Sequence, residues 1–383
     1  MKWPLPSWRD YSPDRLFSLD ILRGIDMLLL TVITPLFMAA NKAWGLPDGV
    51  VAQFRHVWGV FAVYDVIMPC FIFMCGAAIP YALGRRMKDG RPTREFWTHI
   101  LTRFAMLYVL GSLVQCHLLS LDPMNIHICY NTLQVIGVAY VTTALVMLIP
   151  SRAVQVAIPI VLAVGMGLIV HLCGHGDYTK EGNFAYVFDR MVWGLFLPAG
   201  QRSLQPNGYY CYLLPQLACC AITMCGYECA RVLKGTFGVW RKAWTLFALA
   251  GGLFLAAWLV SFKIPVIKHI YSLSFSLYAT AWSVFALATL FVVTDIWKFR
   301  RGTSLMILFG QNALAAYLLN SLFGKGIQGL AEHFAQGLPN IFGKTAQPFS
   351  LACVRVAVLI SILALWHAFK RRGRTMAENN SVI

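Results

Sequence analysis

The chain has 383 residues, 58% of them hydrophobic and only 13% charged, with 32 Lys and Arg against 16 Asp and Glu for a formal net charge of +16. A soluble domain carries roughly 25% charged residues; a chain with half as many is covered by lipid rather than water. Disorder, collagen-like repeats and a small disulfide scaffold are excluded by the same figures. The eleven Cys fall mostly in apolar runs, as Cys70, Cys75, Cys219, Cys220 and Cys225 do, and without metal-ligand spacing they read as small hydrophobes.

In chain order, a mixed segment of about twenty residues comes first. It is followed by a span carrying Asp20, Arg23 and Asp26, which is not the pattern of a cleavable signal. A spanning helix needs about 20 mostly apolar residues. Runs of that kind predict helices over 21–40, 59–83, 96–119, 131–149, 153–172, 208–233, 243–262, 271–295, 303–323 and 349–369. Stretches 184–200 and 321–348 mix apolar residues with Gly, Pro and polar ones and suit interfacial or re-entrant segments.

With loops assigned to alternate faces, one face collects twenty-one Lys and Arg, and the other holds nine: Lys42, Arg55, Lys180, Arg190, Arg202, Lys263, Lys268, Lys325 and Lys344. Arg23 and Arg355 lie inside spans. The positive-inside rule puts the basic face in the cytoplasm. The sequence thus predicts an all-α polytopic membrane protein of about ten transmembrane helices with both termini cytoplasmic. Residues 1–383 form a single transmembrane domain, with a cytoplasmic segment at 1–14 and a cytoplasmic tail at 370–383. The same asymmetry accounts for the basic charge, so no nucleic acid partner is expected. Gly251 and Gly252 could support close packing within one subunit or the contact of a homodimer.

Ionisable residues at membrane depth cost about 2.5–3.5 kcal/mol each on insertion scales and default to functional or helix-pairing roles. Asp20, Arg23 and Asp26 lie on one stripe of the first helix, open to a local Asp20–Arg23 ion pair or to a ligand. Asp65 lies inside the second span, and His56 precedes that span on the non-cytoplasmic side. A carboxylate holding one imidazole nitrogen leaves the other free to accept a proton. Nine helical residues turn the chain by about 900°, which would put the two on opposite faces of a continuous helix. Their pairing therefore requires non-helical chain near Gly59, or a re-entrant loop, beside a polar cavity entered from the non-cytoplasmic side.

Several strings recur in order: RLFSLDILRG at 15–24, HVWGVFAVYDVIMPCFIFMCG at 56–76, NTLQVIGVAY at 131–140, QPNG at 205–208, YSLSF at 271–275 and FGQNALAAYLL at 309–319. This ordered set resembles the heparan-α-glucosaminide N-acetyltransferase-like transmembrane acyltransferases, in particular their bacterial branch of N-acetylglucosamine-related membrane proteins. The resemblance implies an acetyl-CoA-dependent N-acetyltransferase of the bacterial inner membrane, with acetyl-CoA as acyl donor, an amino sugar or glycan as acceptor and no metal. It further implies His56 and Asp65 as the catalytic pair, and Arg15, Arg23, Ser272, Ser274 and Asn312 as donor-binding residues. Gln134, Trp58 and Asp26 are implied as acceptor contacts. HVWG is one residue shorter than the usual family string, QPNG has amides where acids are common, and Val135 replaces a frequent Arg, so the acceptor is left open.

Acyl transfer to an amine needs a base and an oxyanion donor. Neutral His56 suits the first role, either by direct transfer or through an acetyl-histidine, and Asn312 or Gln134 suits the second. Arg15 and Arg23, with Arg85 and Arg86 as further candidates, suit the CoA phosphates. The competing expectation is an amino-sugar transporter without acyl chemistry.

Overall fold

The computed structural model describes residues 5, 6, 8, 16–88, 91–115, 129, 131–195 and 210–380. Arg15 and the QPNG string at 205–208 lie outside the described residues. The elements in chain order are α1 (Phe17–Leu28), α2 (Thr34–Trp44), α3 (Asp48–Ala52) and α4 (Ile67–Ala82), then a two-residue hairpin of β1 (Met87–Lys88) and β2 (Arg91–Pro92). Next come α5 (Arg94–Gln115), α6 (Thr132–Val146), α7 (Arg152–Cys173), α8 (Phe184–Trp193), α9 (Pro215–Lys234), α10 (Val239–Ser261) and α11 (Leu273–Leu290). The last group is α12 (Ser304–Gln311), α13 (Ala313–Ser321), α14 (Gly324–Phe334), α15 (Leu338–Phe342) and α16 (Gln347–Asn380).

Among the described residues, seven helices are long and apolar enough to cross a membrane: Phe17–Trp44, Val63–Arg86, Arg94–Val114, Arg152–Cys173, Val239–Ser261, Leu273–Ile296 and Gln347–Arg371. Each coincides with one of the ten predicted spans. The other three predicted spans differ for readable reasons. The helix at 132–146 has 15 residues, α9 carries Glu228, Arg231 and Lys234 in its last turns, and the run 303–323 is divided at Asn312 into α12 and α13. Stretches 184–200 and 321–348 hold the short helices α8, α14 and α15. Helices α7 and α10 leave Val161, Leu172, Trp244, Trp258 and Leu259 exposed along their lengths. Apolar sides of that extent are stable against lipid, not water. The fold is all-α and polytopic.

The chain divides into two compact units, residues 1–55 with 289–383, and residues 56–288. The second is built on α4 against α9. A Cβ on Gly76 would collide with the Thr223 carbonyl, and one on Gly226 with the Phe73 carbonyl, so two glycines, one per helix, set the closest approach. Around this crossing α6, α7 and α9 share a core of Ala139, Cys220 and Met224 with Val146, Ile158 and Leu162. Cys70, Cys75, Cys219 and Cys220 are buried and in no disulfide, in line with their apolar setting. Helix α6 starts at a capping box: the Leu133 N–H donates to Asn131 Oδ1, and the Asn131 N–H donates to Gln134 Oε1. Gly251 and Gly252 have open space where a Cβ would stand, so packing within the described chain does not require them.

The first unit repeats the device. Gly24 meets the Met306 carbonyl and Gly310 the Asp20 carbonyl, joining α1 to α12 over Phe17, Ile21, Ile307, Ile25, Leu290 and Met306. The orphan N–H of Ser18 at the start of α1 donates to Asp295 Oδ2 at 3.0 Å. Between α1 and α2 the helix widens into a π-turn at Leu29–Ile33, just ahead of Pro35, which has no N–H to return to the preceding turn.

Candidate active site

His56 and Asp65 meet because the chain between them is not a helix. Residues 53–62 are irregular, Gly59 takes φ 75° in the left-handed region that suits glycine, and Asp65 sits in a 3-10 turn, Val63–Val66, ahead of α4. His56 Nδ1 lies 2.6 Å from Asp65 Oδ1, and the other carboxylate oxygen accepts the Ala62 N–H at 3.0 Å. Asp65 is 1% exposed. Both its oxygens are engaged, one fixing the loop and the other the imidazole, so Nδ1 carries the proton and Nε2 is the basic nitrogen.

A third ionisable group completes the cluster, and the sequence reading placed it only among loop charges. Lys268 Nζ lies 2.7 Å from His56 Nε2, 2.9 Å from Nδ1 and 3.7 Å from Asp65 Oδ1, and the residue is 9% exposed. A signal was present: Lys268 stands three residues before the YSLSF string. Its relation to a histidine 212 positions away was not legible. Burial lowers its pKa to about 8, against the opposing pull of Asp65. Burial also lowers that of His56, with Lys268 acting in the same direction and the Asp65 hydrogen bond opposing.

Ser272 and Ser274 hold the loop that carries Lys268. Ser272 Oγ donates to the Pro265 carbonyl at 2.8 Å and accepts the Ile267 N–H at 3.0 Å. Ser274 Oγ donates to the same carbonyl at 2.9 Å. Both serines are buried. Tyr271, at φ 47° in the same loop, is held by its N–H on the Lys268 carbonyl and by Ser276 Oγ on its own carbonyl. In this setting the two serines act on the backbone that positions Lys268.

Three rings surround the imidazole, and a fourth, Trp58, packs on one of them. Tyr64 stacks on His56 at 4.7 Å between centroids, with Tyr210 at 6.0 Å and His269 at 6.4 Å. Trp58 lies 5.1 Å from His269, and its Nε1 donates to the Tyr178 carbonyl at 3.2 Å. Burial, then the charge of Lys268 and that of His56, pushes the His269 pKa down to about 4, so this ring is neutral at physiological pH.

The other expected site residues occupy different settings. Gln134 is fully buried, its Nε2 donating to Ser112 Oγ at 2.9 Å while Oε1 caps α6, which makes it a tie between α5 and α6. In the first unit, Arg23 pairs with Asp20 at 2.9 Å, the local ion pair that the spacing allowed. Asp26 is buried, and its Oδ2 has no hydrogen-bond partner. Asn312 Nδ2 donates to the Leu308 carbonyl at 2.8 Å and meets His367 Nδ1 at 3.0 Å. Both amide hydrogens are thereby engaged at the break between α12 and α13. Among the described residues no His, Cys, Asp and Glu group suits a metal ion.

What the cluster can do chemically is narrow. An oriented neutral imidazole with a buried carboxylate behind it and an ammonium before it can take a proton from an amine and stabilise developing negative charge. No curated protein matches this chain. The family model described as heparan-alpha-glucosaminide N-acetyltransferase, catalytic, matches residues 15–245, more than half of the sequence. The all-α, membrane-spanning fold agrees with that match, and the chain belongs to this family of acyltransferase-type membrane enzymes.

Proposed function

We propose that the protein transfers the acetyl group of acetyl-CoA to the amine of a hexosamine of the glucosamine type, with His56 as general base. The observation that carries this reading is the 2.6 Å contact of His56 Nδ1 with a buried carboxylate, which leaves Nε2 as the proton acceptor. In direct transfer the acceptor nitrogen attacks the thioester carbonyl and its proton passes to Nε2. The C–S bond then breaks, and the thiolate of CoA takes that proton back. Asp65 orients the ring and stabilises the imidazolium that forms. Trp58, Tyr64, Tyr210 and His269 offer apolar ring area, edged with polar atoms, suited to a hexose face.

The donor approaches from the cytoplasmic side, where both termini lie. Arg15 and Arg23 engage its phosphates; Arg23 has five N–H donors, so its bond to Asp20 leaves others for an anion. The acceptor is presented on the opposite face of a bacterial inner membrane. The test is purified protein in lipid nanodiscs with labelled acetyl-CoA and glucosamine. Acetyl transfer that falls by about 10²–10⁴-fold in His56→Ala is the expected result. Unchanged turnover in that variant removes the mechanism, and sugar flux into sealed vesicles lacking acetyl-CoA replaces it with transport.

A further inference from the structure

In the resting site the position an acceptor amine must take is already occupied by an amine. Lys268 Nζ stands 2.7 Å from His56 Nε2 and 2.9 Å from Nδ1, filling the space beside the ring that an acceptor amine needs. The two amide side chains expected to stabilise the oxyanion are engaged elsewhere, Gln134 at the start of α6 and Asn312 on Leu308 and His367. The described residues around His56 therefore offer one cation, within 3.7 Å of the Asp65 carboxylate and framed by Tyr64 and Tyr210 at 5.9 and 5.8 Å from their ring centroids.

We propose that Lys268 is a further catalytic residue: it keeps Nε2 occupied in the resting site and turns its ammonium onto the donor's carbonyl oxygen when the acceptor amine takes that place. This assignment rests on the acyl-transfer reading above. The acceptor nitrogen forms the new C–N bond, and the carbonyl π pair moves to oxygen, where Lys268 donates to it. The acceptor proton goes to Nε2. When the oxyanion collapses the C–S bond breaks, and the thiolate leaves with the proton from Nε2, so Lys268 ends as it began, protonated. A pKa near 8 keeps the ammonium protonated at neutral pH, and burial strengthens its field at the oxygen. The loop bearing Lys268 is held by Ser272 and Ser274, so the change of contact falls to rotation of its four-carbon stem.

The test is Lys268→Met, with Lys268→Arg and His56→Ala beside it, in the full-length protein in nanodiscs after each variant is shown folded by its thermal melt. Steady-state rates are read against pH. The groups facing His56 are Asp65, Lys268, Tyr64, Tyr210 and His269, with Lys180 acting on His269, and only the second is changed. Loss of one oxyanion donor lowers kcat by about 10²–10³-fold with little change in the donor's KM. Lys268→Arg retains an intermediate rate because it keeps the charge but presents a planar guanidinium in place of the compact ammonium. The acidic limb of kcat/KM moves to higher pH in Lys268→Met, because a positive neighbour of His56 has been removed. Transfer by wild-type protein that His56→Ala abolishes and Lys268→Met leaves intact overturns the role of Lys268 while the acyl-transfer reading stands. Equal losses in Met and Arg with an unmoved acidic limb also overturn it, as a structural effect. Absence of transfer by the wild type overturns both readings.

Discussion

The two units are built on the same helix crossing and use it differently. In each, a glycine on either helix lies against a carbonyl of the other: Gly24 and Gly310 between α1 and α12, Gly76 and Gly226 between α4 and α9. In the first unit the Asp20–Arg23 pair and the buried Asp26 lie on the crossing helix α1 itself, and Asn312, at the end of α12, meets His367 of helix α16. In the second they come from irregular chain before α4 and before α11, where His56, Asp65 and Lys268 meet. Helical backbone fixes side chains by register, whereas loop backbone lets residues with no common register converge. Convergence of that kind is what a proton-transfer centre needs.

The sharpest way to break this contrast is to neutralise one carboxylate in each unit. Asp65→Asn removes the group that fixes the His56 tautomer, and kcat falls by about 10³–10⁴-fold, on the scale seen for an equivalent change in a serine protease triad. Asp20→Asn loosens one ion pair and leaves kcat within about tenfold, read in the same labelled-acetyl assay. A loss in Asp20→Asn as deep as that in Asp65→Asn would erase the distinction between the units.

Next in size are the crossings. Gly76→Val and Gly24→Val each force a side chain against a carbonyl, with an expected cost of about 1–3 kcal/mol or more from overpacking. Thermal melts in detergent should show both destabilised by similar amounts; a variant that melts like the wild type would mean its crossing is not close-packed. A smaller effect is expected for Asn312→Ala, about 0.6 kcal/mol for an interhelical hydrogen bond in a membrane, measured the same way.

The last test concerns pH, and its effect vanishes at neutrality. His269 has a folded pKa near 4 against an ordinary value near 6.5, so the unfolded chain binds more protons between those values. Its contribution to stability is complete above about pH 6.5 and declines as pH falls toward 4. The melting temperature of the wild type should drop across that window, and His269→Gln should flatten the drop. A wild-type curve that rises on acidification would contradict the buried, neutral ring.

Much of the site was legible because its requirement is local. A nine-residue separation cannot bring His56 to Asp65 on one continuous helix, so their pairing required either irregular chain near Gly59 or a re-entrant loop, and the irregular chain at 53–62 with φ 75° at Gly59 is the first of these. Lys268 shows the limit: counted as one of nine charges on a loop, it carried no mark of the 2.7 Å contact with a ring 212 residues earlier. Ser272 and Ser274 show the same limit from the other side, since a serine in a motif does not reveal whether its hydroxyl faces a ligand or, as with Pro265 here, the backbone.

By itself the sequence determined the solvent and the class of fold, since a chain this apolar and this sparsely charged has nothing with which to face water, and spanning backbone must bond to itself as helix. Which helices touch, where α12 breaks from α13, and which lysine faces His56 were decided by packing. Those outcomes depend on glycine-to-carbonyl fits and loop closures between residues far apart in the chain, and no local pattern of hydropathy or charge encodes them.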